Sequence, residues 1–107
     1  MSMTADEFRK IALSFPGAEE RSHMNHPDFR VGGKIFATLG SPDTDWGMVQ
    51  LSPEEQQNYL STAPEVFTPA KGAWGRNGST LVKLEAAKKP LIKKAIETAF
   101  LRRQAKG

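Results

Sequence analysis

The stretch from Asp28 to Leu39 restricts the possible folds more than any other part of the chain. Asp28-Phe29-Arg30-Val31 alternates polar and apolar residues, and Lys34-Ile35-Phe36-Ala37-Thr38-Leu39 reads as a returning strand. Gly32-Gly33 stands between them, and both glycines accept the positive φ of a two-residue hairpin turn. Such a turn joins antiparallel strands. Strands with one apolar face must bury it against a second layer. The segment therefore commits the chain to an antiparallel sheet with helices packed on one side.

The remaining sequence supplies those helices. Thr4-Ala5-Asp6-Glu7 has the Thr-x-x-Glu form of a capping box, and Phe8, Ile11, Ala12 and Phe15 follow at helical spacing. Pro16-Gly17 ends this helix. Residues 18 to 27 show neither helical nor strand periodicity and are expected to be irregular. Beyond the hairpin, Gly40-Ser41-Pro42-Asp43-Thr44-Asp45 is a polar loop and Trp46 to Leu51 a third strand. Ser52-Pro53-Glu54-Glu55 opens a second helix with an N-cap, a proline in its first position and a capping-box glutamate. It ends near Ser61, and Val66-Phe67-Thr68 forms a short extended segment. Asn77-Gly78, the strongest short hairpin signal, predicts flanking strands over residues 73–76 and 79–84. A third helix over 87–104 keeps Pro90 in its first turn and sets Leu91, Ile92, Ala95, Ile96, Ala99 and Phe100 on one face. Leu101 falls on its polar side. The expected fold class is α+β, a two-layer α/β sandwich. Its antiparallel five-stranded sheet follows the order α-β-β-β-α-β-β-α, in a single domain over residues 1–107.

Length and composition exclude several classes. A domain of 107 residues buries roughly two thirds of its unfolded surface, so it needs no metal or disulfide to fold. No apolar run approaches the ~20 residues that cross a bilayer, so no membrane association is expected. The segment Met1 to Glu7 lacks the basic and apolar regions of a secretory leader. With no cysteine, thiol catalysis and zinc fingers are excluded and a reducing cytoplasm is the expected compartment. The net charge of +3 hides a division. Residues 1–70 carry five basic against ten acidic side chains, whereas residues 71–107 carry ten basic against Glu85 and Glu97, a local +8. Such asymmetry suits an anionic partner, of which a phosphate backbone is the commonest. The plainer readings are a solvated lysine-rich helix face, or pairing of the basic segment with the acidic half.

Candidate chemistry is sparse. His23-Met24-Asn25-His26-Pro27-Asp28 sets two imidazoles three residues apart with a carboxylate nearby, but no cysteine or third histidine completes a closed metal site. Turn-forming surface residues are the plainer reading, and neither metal nor cofactor is expected. No serine lies in a Gly-x-Ser-x-Gly elbow, and the adjacent pairs Glu19-Glu20 and Glu54-Glu55 point apart rather than facing each other. The Gly72–Gly78 segment lacks the Gly-Lys-Ser/Thr ending of a phosphate loop. As a hairpin it puts Trp74 beside Lys71 and Arg76, an aromatic among cations that suits nucleic-acid contact, although Trp74 as a packing residue is the commoner outcome.

The chain resembles the MmcQ/YjbR family of small bacterial proteins. The resemblance rests on Phe15-Pro16-Gly17-Ala18-Glu19-Glu20, on His26-Pro27-Asp28-Phe29-Arg30-Val31-Gly32-Gly33-Lys34-Ile35-Phe36-Ala37, and on Trp46 to Glu54. Trp74-Gly75 and the last amphipathic helix match as well. The resemblance implies a two-layer fold with the element order already read, no catalytic motif, and a DNA-binding role in which the hairpins are likened to a double wing. The expected function is therefore non-catalytic DNA binding through phosphate contacts of low sequence specificity. Arg30 and Lys34 would serve at the first hairpin, Lys71, Arg76 and Lys83 around the second, and Lys88, Lys89 and Lys93 would extend the surface. The alternatives are a protein-interaction module, such as a homodimer, using the open sheet face or the acidic half, and a small-ligand or metal-binding domain built on His23 and His26.

Overall fold

The computed structural model describes residues 3–40 and 43–106, with the Lys106 side chain not described. Ser41 and Pro42, in the expected polar loop, lie outside the described residues. The elements run α1 (Ala5–Leu13), β1 (Glu19–His23), β2 (His26–Val31), β3 (Lys34–Leu39), β4 (Trp46–Gln50), α2 (Pro53–Thr62), β5 (Phe67–Pro69), α3 (Gly72–Arg76), β6 (Ser79–Lys83) and α4 (Lys89–Lys106). A 3₁₀ turn at Leu84–Ala86 joins β6 to α4. The fold is α+β. All strand pairs are antiparallel, in the order β1-β2-β3-β4-β6-β5.

Both capping boxes form as the sequence predicts. The Glu7 amide donates to Thr4 Oγ1 at 3.1 Å while the Thr4 amide donates to Glu7 Oε1 at 2.9 Å. Ser52 and Glu55 repeat the arrangement at 3.1 and 2.9 Å, with Pro53 starting α2. Each box satisfies amides that the first turn leaves without helical partners. At the tip between β2 and β3, Gly32 and Gly33 adopt φ of 59° and 80°, the left-handed region that two-residue turns demand.

Two expectations fail, and both failures concern strands. Residues 18 to 27 are not irregular: Glu19–His23 forms an edge strand and Met24-Asn25 the turn into β2, with φ of 49° and 67°. Every β1 residue is exposed, so the strand carries no apolar alternation to read. Its turn uses a methionine where glycine or asparagine is usual. The second failure is the hairpin at Asn77-Gly78. Residues 72–76 form the short helix α3, and Asn77 has φ of −92°, which a two-residue hairpin turn does not allow. β6 pairs instead with β4 and β5, so both its edges are taken and no place remains for a strand at 73–76. The sheet has six strands rather than five: β1 is gained, the strand at 73–76 is lost, and the expected extended segment Val66-Phe67-Thr68 pairs with β6 as β5.

One sheet face carries the core. Phe8 of α1 tilts against Phe29, Phe100 of α4 meets Phe36 edge-on at 5.4 Å, and Tyr59 of α2 packs on Phe67 at 5.1 Å. Phe8, Phe29, Phe36, Val49, Val82, Ile92 and Ile96 are fully buried. The three helices are tied to the sheet and to each other at their flanks. Arg9 donates to Glu20 at 3.0 Å, and the Tyr59 hydroxyl lies 3.0 Å from Thr98 Oγ1.

Candidate nucleic-acid interface

Strand pairing divides the expected cations between two ends of the sheet. One end holds the Gly32-Gly33 turn and, because Gln50 pairs with Ser79, also the start of β6 and α3 before it. There lie Arg30, Lys34, Lys71 and Arg76. The opposite end holds the Met24-Asn25 turn, the loop after Gly40 and the end of β6, where Lys83 pairs with Trp46. Lys88 and Lys89 follow there at the start of α4, and Lys93 sits one turn further along that helix. Arg76 and Lys83, expected to flank one hairpin, occupy opposite ends of β6.

The two ends differ in charge balance. At the Lys83 end the Leu84 amide donates to the Asp45 carbonyl at 3.1 Å and the Met3 amide to the Leu84 carbonyl at 3.0 Å. These bonds bring Asp43, Asp45, Glu85, Asp6 and Glu7 into the neighbourhood of Lys83, Lys88 and Lys89. The Glu7 carboxyl is held below its ordinary pKa, first by the Thr4 amide, with Lys89 adding a smaller favourable charge. Cations and carboxylates are therefore interspersed at this end.

At the other end α4 brings its own C-terminus. Arg103 Nε donates to the Ile35 carbonyl of β3 at 3.0 Å. The register explains why that carbonyl is available: Phe29 pairs with Ala37 and Arg30 with Ile35, so Phe36 is skipped and the ladder is locally interrupted. Burial lowers the Arg103 pKa, and neighbouring Arg102 lowers it further, although a guanidinium stays charged at any working pH. Arg103 thus reaches the residue next to Lys34, with Arg102 beside it in the chain, and exposed Lys71 and Arg76 lie two strands away at the two ends of α3. Their acidic neighbours are Glu19, Glu54 and the capping Glu55. Arg102 and Arg103 were legible only as members of a basic segment; their approach to Lys34 depends on a bond spanning 68 residues of chain.

Arg30 has another occupation. Its guanidinium clasps Asp28 through Nε at 2.8 Å and Nη2 at 3.1 Å, while His23 Nδ1 donates to the same carboxylate at 2.7 Å. The Asp28 carboxyl is fully buried and held below its ordinary pKa, chiefly by Arg30 and then by His23. Arg30 is correspondingly raised by Asp28. This cluster lies on the sheet face away from the helices, in a row that runs Arg21–Asp28–Thr38–Met48–Leu81–Thr68 across all six strands. His26 lies beside His23 with ring centroids 6.5 Å apart, and its ring also approaches Gly40. Three strand-borne side chains therefore fasten the edge hairpin, and the histidine pair is a strand feature rather than a loop.

Trp74 departs most from expectation. It does not pack: 72% of it is exposed, on an α3 whose Lys71, Gly72, Ala73, Arg76 and Asn77 are exposed too. The helix beneath it is tightly held. Gln56, buried in α2, donates through Nε2 to the carbonyls of Gly75 and Ser79 at 3.0 and 3.1 Å. A Cβ at Gly75 would collide with the Ala70 carbonyl.

Comparison with known proteins bears on the fold. A crystal structure of the Deinococcus radiodurans protein DR2400, described as a DUF419 domain, superposes with a TM-score of 0.78. The match covers 94% of this chain and 78% of that one at 16% identity, and so bears on the fold alone. No curated protein sequence matches the chain. The YjbR family model matches residues 13–102, from the end of α1 to the last turns of α4, and the chain belongs to the YjbR family.

Proposed function

We propose that this chain is a non-catalytic module that holds DNA by its phosphate backbone, through the basic end of the sheet. Lys34, Arg102 and Arg103 form one contact point and Lys71 with Arg76 a second. The observation that carries this reading is the Arg103–Ile35 bond, which joins the C-terminal basic segment to the β2–β3 turn. Lys83, Lys88 and Lys89 fall outside the surface because they share their end of the sheet with carboxylates, and Lys93 lies along α4 between the two ends. Arg30 contributes field rather than contact, since Asp28 takes two of its donors. Contacts to phosphate position a duplex without reading its bases, so sequence preference is weak. A chain without cysteine suits the reducing cytoplasm where such a module would work.

Affinity for a labelled duplex, followed by anisotropy across a salt series, tests the reading. Each phosphate neutralised contributes about −0.9 to the slope of log K against log salt. Lys71→Ala with Arg76→Ala should flatten that slope by about two units. Lys83→Ala with Lys88→Ala and Lys89→Ala should leave it unchanged. Equal flattening by both variants, or no binding of the wild-type chain at low salt, would sink the proposal.

A further inference from the structure

Trp74 is the one large aromatic among the exposed apolar side chains of the described residues; the others are Leu13, Met24 and Leu101. Its surroundings decide what it is suited to touch. Lys71 and Asn77, the two residues that cap α3, bracket Trp74 in the chain, and both are exposed. Arg76, two positions on, is turned about 200° away. The set beside Trp74 is thus a cation, a flat π-surface and an amide that both donates and accepts. An aromatic anchor for a protein partner is ordinarily the centre of a contiguous apolar patch. Among the described residues, its neighbours on α3 are polar, charged or small.

The mount is rigid. The Asn77 amide donates to the Ala73 carbonyl at 3.0 Å and the Gly78 amide to the Gly75 carbonyl at 3.0 Å. Gln56 fastens the Gly75 carbonyl from below, and the Ala70 amide donates to Ser79 at 2.9 Å. A Cβ at Gly78 would collide with the Leu51 carbonyl, so the end of α3 sits directly on the chain leaving β4. A side chain carried by a fixed backbone loses little freedom when it is covered.

We infer that Trp74 is a stacking platform for one unpaired base, so that the nucleic acid held at the basic end is single-stranded where it crosses α3. This rests on the phosphate-binding reading above and adds the ligand's form to it. Inside a duplex both faces of a base are already stacked, and an indole at the surface has nothing to cover. In a single strand each base offers a face to an aromatic side chain regardless of its identity. Lys71 then reaches the adjoining phosphate, and the Asn77 amide meets an edge of the stacked base.

The experiment compares a thymidine homopolymer strand with a duplex of equal length, binding wild-type protein and Trp74→Ala at one salt concentration. Trp74→Ala should keep the wild-type melting temperature, because the side chain buries so little. The single strand should bind more tightly than the duplex and quench the indole fluorescence. Trp74→Ala should lose that quenching and weaken single-strand binding on the order of ten- to a hundred-fold. Its duplex affinity should change little, and Trp74→Phe should fall between. A duplex bound at least as tightly as the strand, or Trp74→Ala binding the strand like wild type, overturns the stacking role while phosphate binding stands. Failure of the wild-type chain to bind either form overturns the underlying reading, and the stacking role with it.

Discussion

At the residue scale, the decisive side chains are those whose surroundings contradict their usual place. Asp28 is a carboxylate with no exposed surface, and it persists because Arg30 and His23 donate hydrogen bonds to its oxygens. Asp28→Asn leaves the half-buried guanidinium without an ionised partner and should destabilise the chain by about 1–3 kcal/mol, measured by denaturant unfolding. The same carboxyl governs an acid limb. Its folded pKa lies below the unfolded value, so its stabilisation is present above about pH 4 and is lost as pH falls through the lowered value. A melting profile against pH should therefore decline less steeply in Asp28→Asn than in wild type over that acid range. Trp74 presents the reverse case, an apolar side chain left in water, and its removal should shift unfolding by no more than about 0.5 kcal/mol. Neither environment was legible in the sequence. The Asp28 site is made by a neighbour two residues away on its own strand and another across a turn. The exposure of Trp74 follows from a helix where a strand was expected.

At the element scale, local signals worked where the stabilising bonds are local. The Thr4 and Ser52 boxes close within four residues, and the Gly32-Gly33 turn needs only two positive φ values. Ser52→Ala should cost about 1 kcal/mol, read as a lower melting temperature, because an orphan amide at the start of α2 loses its acceptor. The element readings that failed were settled by partners far along the chain. β1 is a strand because β2 offers it a hydrogen-bonding edge, not because its own side chains alternate in burial. α3 is a helix because β5 and β4 already occupy both edges of β6, which turns the strongest hairpin dipeptide into the end of a helical turn. Close packing then fixes it: Gly75→Ala must push α3 off the Ala70 carbonyl, an overpacking cost of about 1–3 kcal/mol. That variant should also weaken nucleic-acid binding, since it displaces Lys71 and Trp74 together.

At the scale of the whole molecule, the charge asymmetry along the sequence becomes a different asymmetry in space. The basic C-terminal third is split, with Lys88 and Lys89 returned to the acidic end and Arg102 and Arg103 carried along α4 to Ile35. On a polyanionic column, Lys71→Ala with Arg76→Ala should elute at lower salt than Lys83→Ala with Lys88→Ala and Lys89→Ala, although the second variant removes more charge. Equal or reversed elution would show that net charge rather than its placement governs retention. The sequence by itself determined the α+β layering, the starts of α1 and α2 and the β2–β3 turn, because hydrophobic period, caps and glycine conformations act over a few residues. Only the tertiary structure decided the sixth strand, the nature of α3 and the gathering of cations at one end. Those depend on which edges are already paired and which carbonyls stay open, and no short stretch of chain carries that information.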